Sequence, residues 1–181
     1  MRKLIMWNVI SLDGYFEGEK AWDLDFHQTV WGDDLGEYTI KQLKTADMLV
    51  FGGKTYKGMA EYWATADGET AKFMNKLPKI ACSTTLKTAD WNNSQVVKDA
   101  VAKIPKLKQD GDGNMFVFGS GNLSASLMKA ELFDEYRLCL APVFLGKGKR
   151  LFQSGLPYQK LKLLQEQRLQ SGGVILMYAA K

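Results

Sequence analysis

The stretch Asn114–Met128, NMFVFGSGNLSASLM, places a short apolar run, a Gly-Ser-Gly turn and the start of an apolar-periodic segment in direct succession. Met115, Phe116, Val117 and Phe118 carry no charge, the pattern of a strand covered on both faces. Gly119 and Gly121 let the backbone turn sharply and let a ligand approach, because neither has a Cβ. Leu123, Leu127 and Ala130 then recur at helical spacing, so the free N–H groups and positive dipole end of a helix face the turn. A dinucleotide pyrophosphate suits such a place. The turn satisfies G-x-G but carries Ser124 where a dinucleotide fingerprint has Gly or Ala, so a strand-to-helix turn with glycines for geometry alone is the alternative.

Upstream, the same alternation repeats. Lys3 to Ile10 reads as a strand closed by Ser11-Leu12-Asp13-Gly14, and Asp47 to Phe51 as a second that runs into Gly52-Gly53-Lys54-Thr55. The latter is no Walker A loop, because Met48 stands where its first glycine belongs. It leaves a lysine and a hydroxyl at a helix start, a place to hold a single phosphate. Pro78 to Cys82 is a third strand, ended by Ser83-Thr84-Thr85, whose hydroxyls hold a ligand or cap a turn. Helices are expected over His27–Lys44, with Trp31 in the core, over Tyr56–Trp63 and Gly68–Leu77, and over Lys98–Leu107, ending near Pro105.

Between the first strand and the first helix, GYFEGEKAWDLDF interleaves Tyr15, Phe16, Trp22 and Phe26 with Glu17, Glu19, Asp23 and Asp25. Aromatic walls with a few carboxylates suit a flat heterocycle, or a loop that packs its own rings. Downstream, Glu131 to Pro142 alternates as a strand with one face more buried. In the Gly146-Lys147-Gly148-Lys149-Arg150 loop, three cations could meet an anionic substrate or simply be solvated. Lys160–Leu169 and Val174–Ala179 form a hairpin around Ser171-Gly172-Gly173. The whole reads as a single α/β domain, residues 1–181, of three layers. Its central sheet is mostly parallel, with antiparallel C-terminal strands. Ligands of such sheets bind beyond the carboxyl ends of the strands, which collects the four turns on one rim.

With 24 basic and 20 acidic residues interspersed, the chain has no long block of one sign, which argues against nucleic acid as a partner. Cys82 and Cys139 sit in apolar segments and read as small buried hydrophobes of a reducing compartment. One histidine and two separated cysteines give no zinc set, so no metal is expected. No nucleophile elbow accompanies His27, which reads as a surface or helix-start residue. Neither a membrane span nor a secretion signal is visible, and the expected location is cytoplasmic.

Taken in order, SLDG, VFGGKTY, STT, FVFGSGNL and LAPVFLGKGKRLF resemble the dihydrofolate reductase-like family, above all the reductase (RibD C-terminal) domain of bacterial riboflavin biosynthesis and its stand-alone relatives. The resemblance covers Lys3 to Ala179. It implies NADPH as cofactor, with Gly119, Ser120, Gly121, Asn122 and Leu123 at the pyrophosphate. Gly52, Gly53, Lys54 and Thr55, with Ser83 and Thr84, would meet the adenosine ribose and its 2′-phosphate. Ser11, Leu12, Asp13 and Gly14 would lie beside nicotinamide and substrate, with Trp22 and Lys147 on the substrate side. Asp13 is the leading candidate for orienting substrate or relaying a proton, and Asp25 the second. The substrate-binding carboxylate of true dihydrofolate reductases has no clear counterpart in AWDLDFHQTVW, so folate-like and riboflavin-precursor substrates both stand. The expected function is NADPH-dependent hydride transfer to a small heterocycle. The alternative is a non-catalytic nucleotide- or ligand-binding protein on the same scaffold. A homodimer through the C-terminal strands is expected.

Overall fold

A computed structural model describes residues 1–181. The elements, in chain order, are β1 (Lys3–Ser11), β2 (Tyr15–Glu17), a 3-10 turn (Asp25–Thr29), α1 (Asp33–Lys44), β3 (Ala46–Gly52), α2 (Gly53–Thr65), α3 (Glu69–Lys76) and β4 (Lys79–Cys82). There follow β5 (Ser94–Val97), α4 (Ala100–Gln109), β6 (Asn114–Phe118), α5 (Gly121–Lys129), β7 (Glu135–Ala141), β8 (Lys149–Arg150), β9 (Leu161–Arg168) and β10 (Val174–Ala180).

Eight strands make one sheet in the order β5-β4-β3-β6-β1-β7-β10-β9. The first six are mutually parallel, while β10 runs antiparallel to β7 and β9 antiparallel to β10. Period-two alternation along β1 divides the core. Ile5, Trp7 and Val9 point to one face with Leu35, Tyr38 and Leu43 of α1, Tyr56 of α2 and Met74 of α3. Leu4, Met6 and Ile10 point to the other with Ile104 and Leu107 of α4 and Leu127 and Met128 of α5. This is the three-layer α/β sheet that the alternating pattern predicts. No helix is long and apolar enough to cross a membrane.

Five expectations change. The first helix begins at Asp33, not His27, because Gly32 is fully extended (φ −179°) and breaks the helix there. Residues 25–29 instead make a 3-10 turn that buries Phe26, while Val30 packs beside Gly173 and Trp31 is left 56% exposed rather than in the core. α4 runs through Pro105 to Gln109. Pro105 can supply no N–H to Val101, and that residue lies on the exposed side of the helix. The strand expected from Glu131 starts only at Glu135, since Glu131 itself is left-handed (φ 54°) in the turn after α5. As an inner strand between β1 and β10, β7 also buries both faces, Cys139 included, rather than alternating.

His27 is mostly buried, its Nε2 without a hydrogen-bond partner, and burial lowers its pKa from 6.5 to about 4. The unfolded chain takes up a proton below pH 6.5 that the folded chain refuses until about 4, so stability falls as pH drops through this window. Between pH 7 and 5 the loss should be on the order of 2 kcal/mol. Urea midpoints at the two pH values should converge in His27→Phe. An unchanged pH response would assign it to another group.

Candidate functional site

The C-terminal ends of β1, β3, β4 and β6 lie on one edge of the sheet, and the turns after β3, β4 and β6 touch there. Ser120, left-handed at φ 59° directly after Gly119 at φ 55°, turns the chain from β6 into α5. Its hydroxyl accepts from the Gly52 N–H at 2.9 Å and donates to the Phe118 carbonyl at 3.0 Å, tying the end of β3 to the end of β6. A Cβ on Gly119 would stand 3.4 Å from Thr55 Cγ2, and one on Gly53 would stand 2.8 Å from Ser83 Oγ. At Gly53 only a residue without a Cβ allows this approach, whereas at Gly119 it is the left-handed backbone that favours glycine.

Neither helix that starts here has a side-chain cap. Ser120 spends its hydroxyl across the sheet and Gly52 has none to offer, so the first N–H groups of α2 and α5 stay without a capping acceptor. Two positive dipole ends thereby converge on one place, with Lys54 exposed on the first turn of α2. Ser83 Oγ accepts from the backbone of Thr85 and Leu86 and so works as a turn cap, with Thr84 exposed beside it.

Asp13 lies at the end of β1. Its Oδ1 accepts from Ser11 Oγ at 2.6 Å and from Leu145 N–H at 3.1 Å, and its Oδ2 from Gly146 N–H at 2.7 Å. The Ser11 hydroxyl first, then the two amides, lower its pKa from 3.8 to about 2. At neutral pH Asp13 therefore has no proton to relay. It ties the β1 turn to the loop after β7, and Arg150 adds a bond to its carbonyl at 3.1 Å.

A strap that the sequence did not reveal crosses this rim. β2 pairs with β8, Lys149 meets Glu17 at 2.6 Å and Lys147 meets Glu19 at 2.7 Å, while Arg150 stacks over the Tyr15 ring at 4.6 Å. The three cations of the GKGKR loop are thus engaged within the chain. Phe16 lays its ring on Gly121 and the Trp22 ring lies on Gly58, so the strap reaches from α5 to α2. Asp25 is exposed at the start of the 3-10 turn, outside this cluster.

A family model for the RibD C-terminal domain matches residues 2–175. The chain belongs to that family. YyaP of Bacillus subtilis strain 168 is 27% identical to this RibD C-terminal domain over 98% of the chain and 94% of its own length. In structure, a putative riboflavin biosynthesis protein from Shewanella sp. PV-4 superposes with TM-score 0.80 at 20% identity, covering 99% of each chain. A dihydrofolate reductase from Enterococcus faecalis, complexed with NADP(H), superposes at 0.63 and 12% identity over 99% of this chain and 96% of its own. The fold is therefore dihydrofolate reductase-like. In this RibD C-terminal domain both cysteines are free thiols, Cys139 buried and Cys82 half-buried, and burial pushes each up to about 12. Neither is a nucleophile at neutral pH.

Proposed function

We propose that the chain is an NADPH-dependent reductase that transfers hydride to a C=N or C=O of a small, pterin- or pyrimidine-like heterocycle. The observation that carries this reading is the meeting of two uncapped helix N-termini at the Gly52–Ser120 contact, with a lysine on one of them. Free N–H groups and bare glycine faces fit a pyrophosphate, and family and fold are those of reductases. Gly119, Ser120, Gly121, Asn122 and Leu123 would hold the pyrophosphate, with Gly52, Gly53 and Thr55 facing it. Lys54, with Ser83 and Thr84, would hold the ribose and its 2′-phosphate.

Bound there, the reduced nicotinamide supplies the hydride. Ser11, Leu12, Asp13 and Gly14 shape the floor beside it, and Asp13 orients by holding the 145–146 backbone. Trp22 and the strap exclude water from above.

The test is a titration with NADPH and, separately, NADH, read by energy transfer from tryptophan. Wild type should prefer NADPH, and Lys54→Ala should weaken NADPH by about 10- to 100-fold while leaving NADH unchanged, as loss of one charge-assisted phosphate contact predicts. Binding of neither dinucleotide would end the reductase reading. Binding without turnover on any pterin or pyrimidine would favour the non-catalytic reading, which the engagement of both Asp13 oxygens keeps in play.

A homodimer through the C-terminal hairpin is part of the proposal. β9 ends the sheet, and Leu161, Leu163 and Leu164 on it are 38–49% exposed. Light scattering should give twice the 20.3 kDa chain mass. A monomeric mass would remove this part.

A further inference from the structure

We propose that Asn8 contacts the ligand, its side-chain amide pairing with the carboxamide of a bound nicotinamide in the crevice between β1 and the Gly119–Gly121 turn. The assignment rests on the cofactor reading above. Pairing of β1 with β6 runs from Lys3↔Asn114 to Trp7↔Phe118 and stops, whereas pairing of β1 with β7 continues to Ser11↔Ala141. Asn8 is thus the first residue of β1 past the point where β6 leaves it to become α5. It shares the face of Leu4, Met6 and Ile10, the face that α5 covers. The residue after β6 is Gly119, left-handed at φ 55°, where the backbone turns away from β1 toward α5.

Asn8 is 5% exposed and its Nδ2 has no hydrogen-bond partner. Three other buried atoms share that condition, but two belong to groups bonded elsewhere: Gln42 accepts from Arg137, and Asp47 from Arg2. The third, on His27, lies in the 3-10 turn. A lone unpaired amide in an otherwise apolar strand is a standing cost to the fold, and such groups persist where a ligand completes them. Its chemistry selects the occupant. An amide offers one donor edge and one acceptor edge in a plane without charge, and a carboxamide offers the same pair reversed. A phosphate would call for cations or backbone N–H groups, which lie one strand away at α5.

The sheet order agrees. With the 2′-phosphate end at β4 and β3 and the pyrophosphate between β3 and β6, the next strand along the rim is β1. Phe16 roofs Gly121, so the strap must shift for the ring to enter.

Wild type, Asn8→Leu and Asn8→Ala would be titrated with NADPH and with adenosine 2′,5′-bisphosphate, which lacks the nicotinamide, alongside thermal melts. Asn8→Leu should melt higher than wild type, bind NADPH about tenfold more weakly and bind the bisphosphate unchanged. Should the leucine variant fail to fold, Asn8→Ala carries the same ligand comparison. Undiminished NADPH affinity in the folded variant overturns the assignment, as does an equal loss for both ligands. Wild type that binds neither ligand overturns the cofactor reading itself, and the assignment with it.

Discussion

Asp13→Ala is expected to lower turnover by about two orders of magnitude and to leave the fold in place. The carboxylate is the shared acceptor for Ser11 Oγ and the amides of Leu145 and Gly146, and so fixes the β1 turn to the loop after β7. Without it both walls of the crevice lose their mutual reference, and a displacement of about 1 Å at a hydride-transfer site costs on the order of 100-fold. Asp13→Asn keeps one carbonyl acceptor and should fall between the two. On the proposed reductase reading, the loss should appear in NADPH oxidation with the pterin or pyrimidine on which wild type is found to turn over. Amide exchange at 145 and 146 should quicken in both variants, a readout that needs no substrate. Because the pKa is depressed, the tie holds at neutral pH and is released only as pH falls from 3.8 through about 2. Full activity in Asp13→Ala would remove Asp13 from the site.

Lys79→Met should cost about 3 kcal/mol, since three carbonyls lose a donor at roughly 1 kcal/mol each. That corresponds to a fall in melting temperature of roughly 6–12 °C in a chain of this size. Lys79 is 1% exposed at the start of β4, and its ammonium donates to Met74, Asn75 and Leu77 carbonyls at 2.8, 3.2 and 2.6 Å. These close the end of α3, whose last carbonyls have no helical donor. The charge also stands 4.5 Å from the Trp91 ring centroid. Burial lowers its pKa from 10.5 to about 8, so at pH 7 it remains charged. A buried charge is often replaced by a hydrophobe without loss, which is the competing effect. Here the replaced group has no counter-ion to remove with it; Asn75 keeps the Asn92 amide at 3.4 Å, and the loss of the ammonium at the Met74 and Leu77 carbonyls decides the sign. A melting temperature equal to wild type would mean that the end of α3 reorganises freely.

The strands and the turns that end them were legible because their causes are local. An uncharged apolar run, a glycine pair and a helical repeat can each be read within a few residues, as at Met115–Phe118 or Gly52-Gly53. Where the deciding partner is distant, reading failed. Trp31 sits in a helical pattern, but Gly32 and the burial of Val30 beside Gly173 turn it outward. Lys147 and Lys149 look like free cations until β2 brings Glu19 and Glu17 to them. Asn8 left one readable trace, a polar residue amid the apolar strand Trp7 to Ile10. Its meaning depends on where β6 stops.

By itself the sequence determined the order of the main-sheet strands and the helices between them, the family they resemble and the edge of the sheet on which the strand-ending turns gather. Tertiary structure alone decided which of those turns meet. Ser120 finds the Gly52 amide 68 residues away, and Asp13 finds Leu145 and Gly146 at 132 and 133. Hydrogen bonds across such separations depend on sheet order and strand register, which are properties of the whole packed core and are carried by no local pattern.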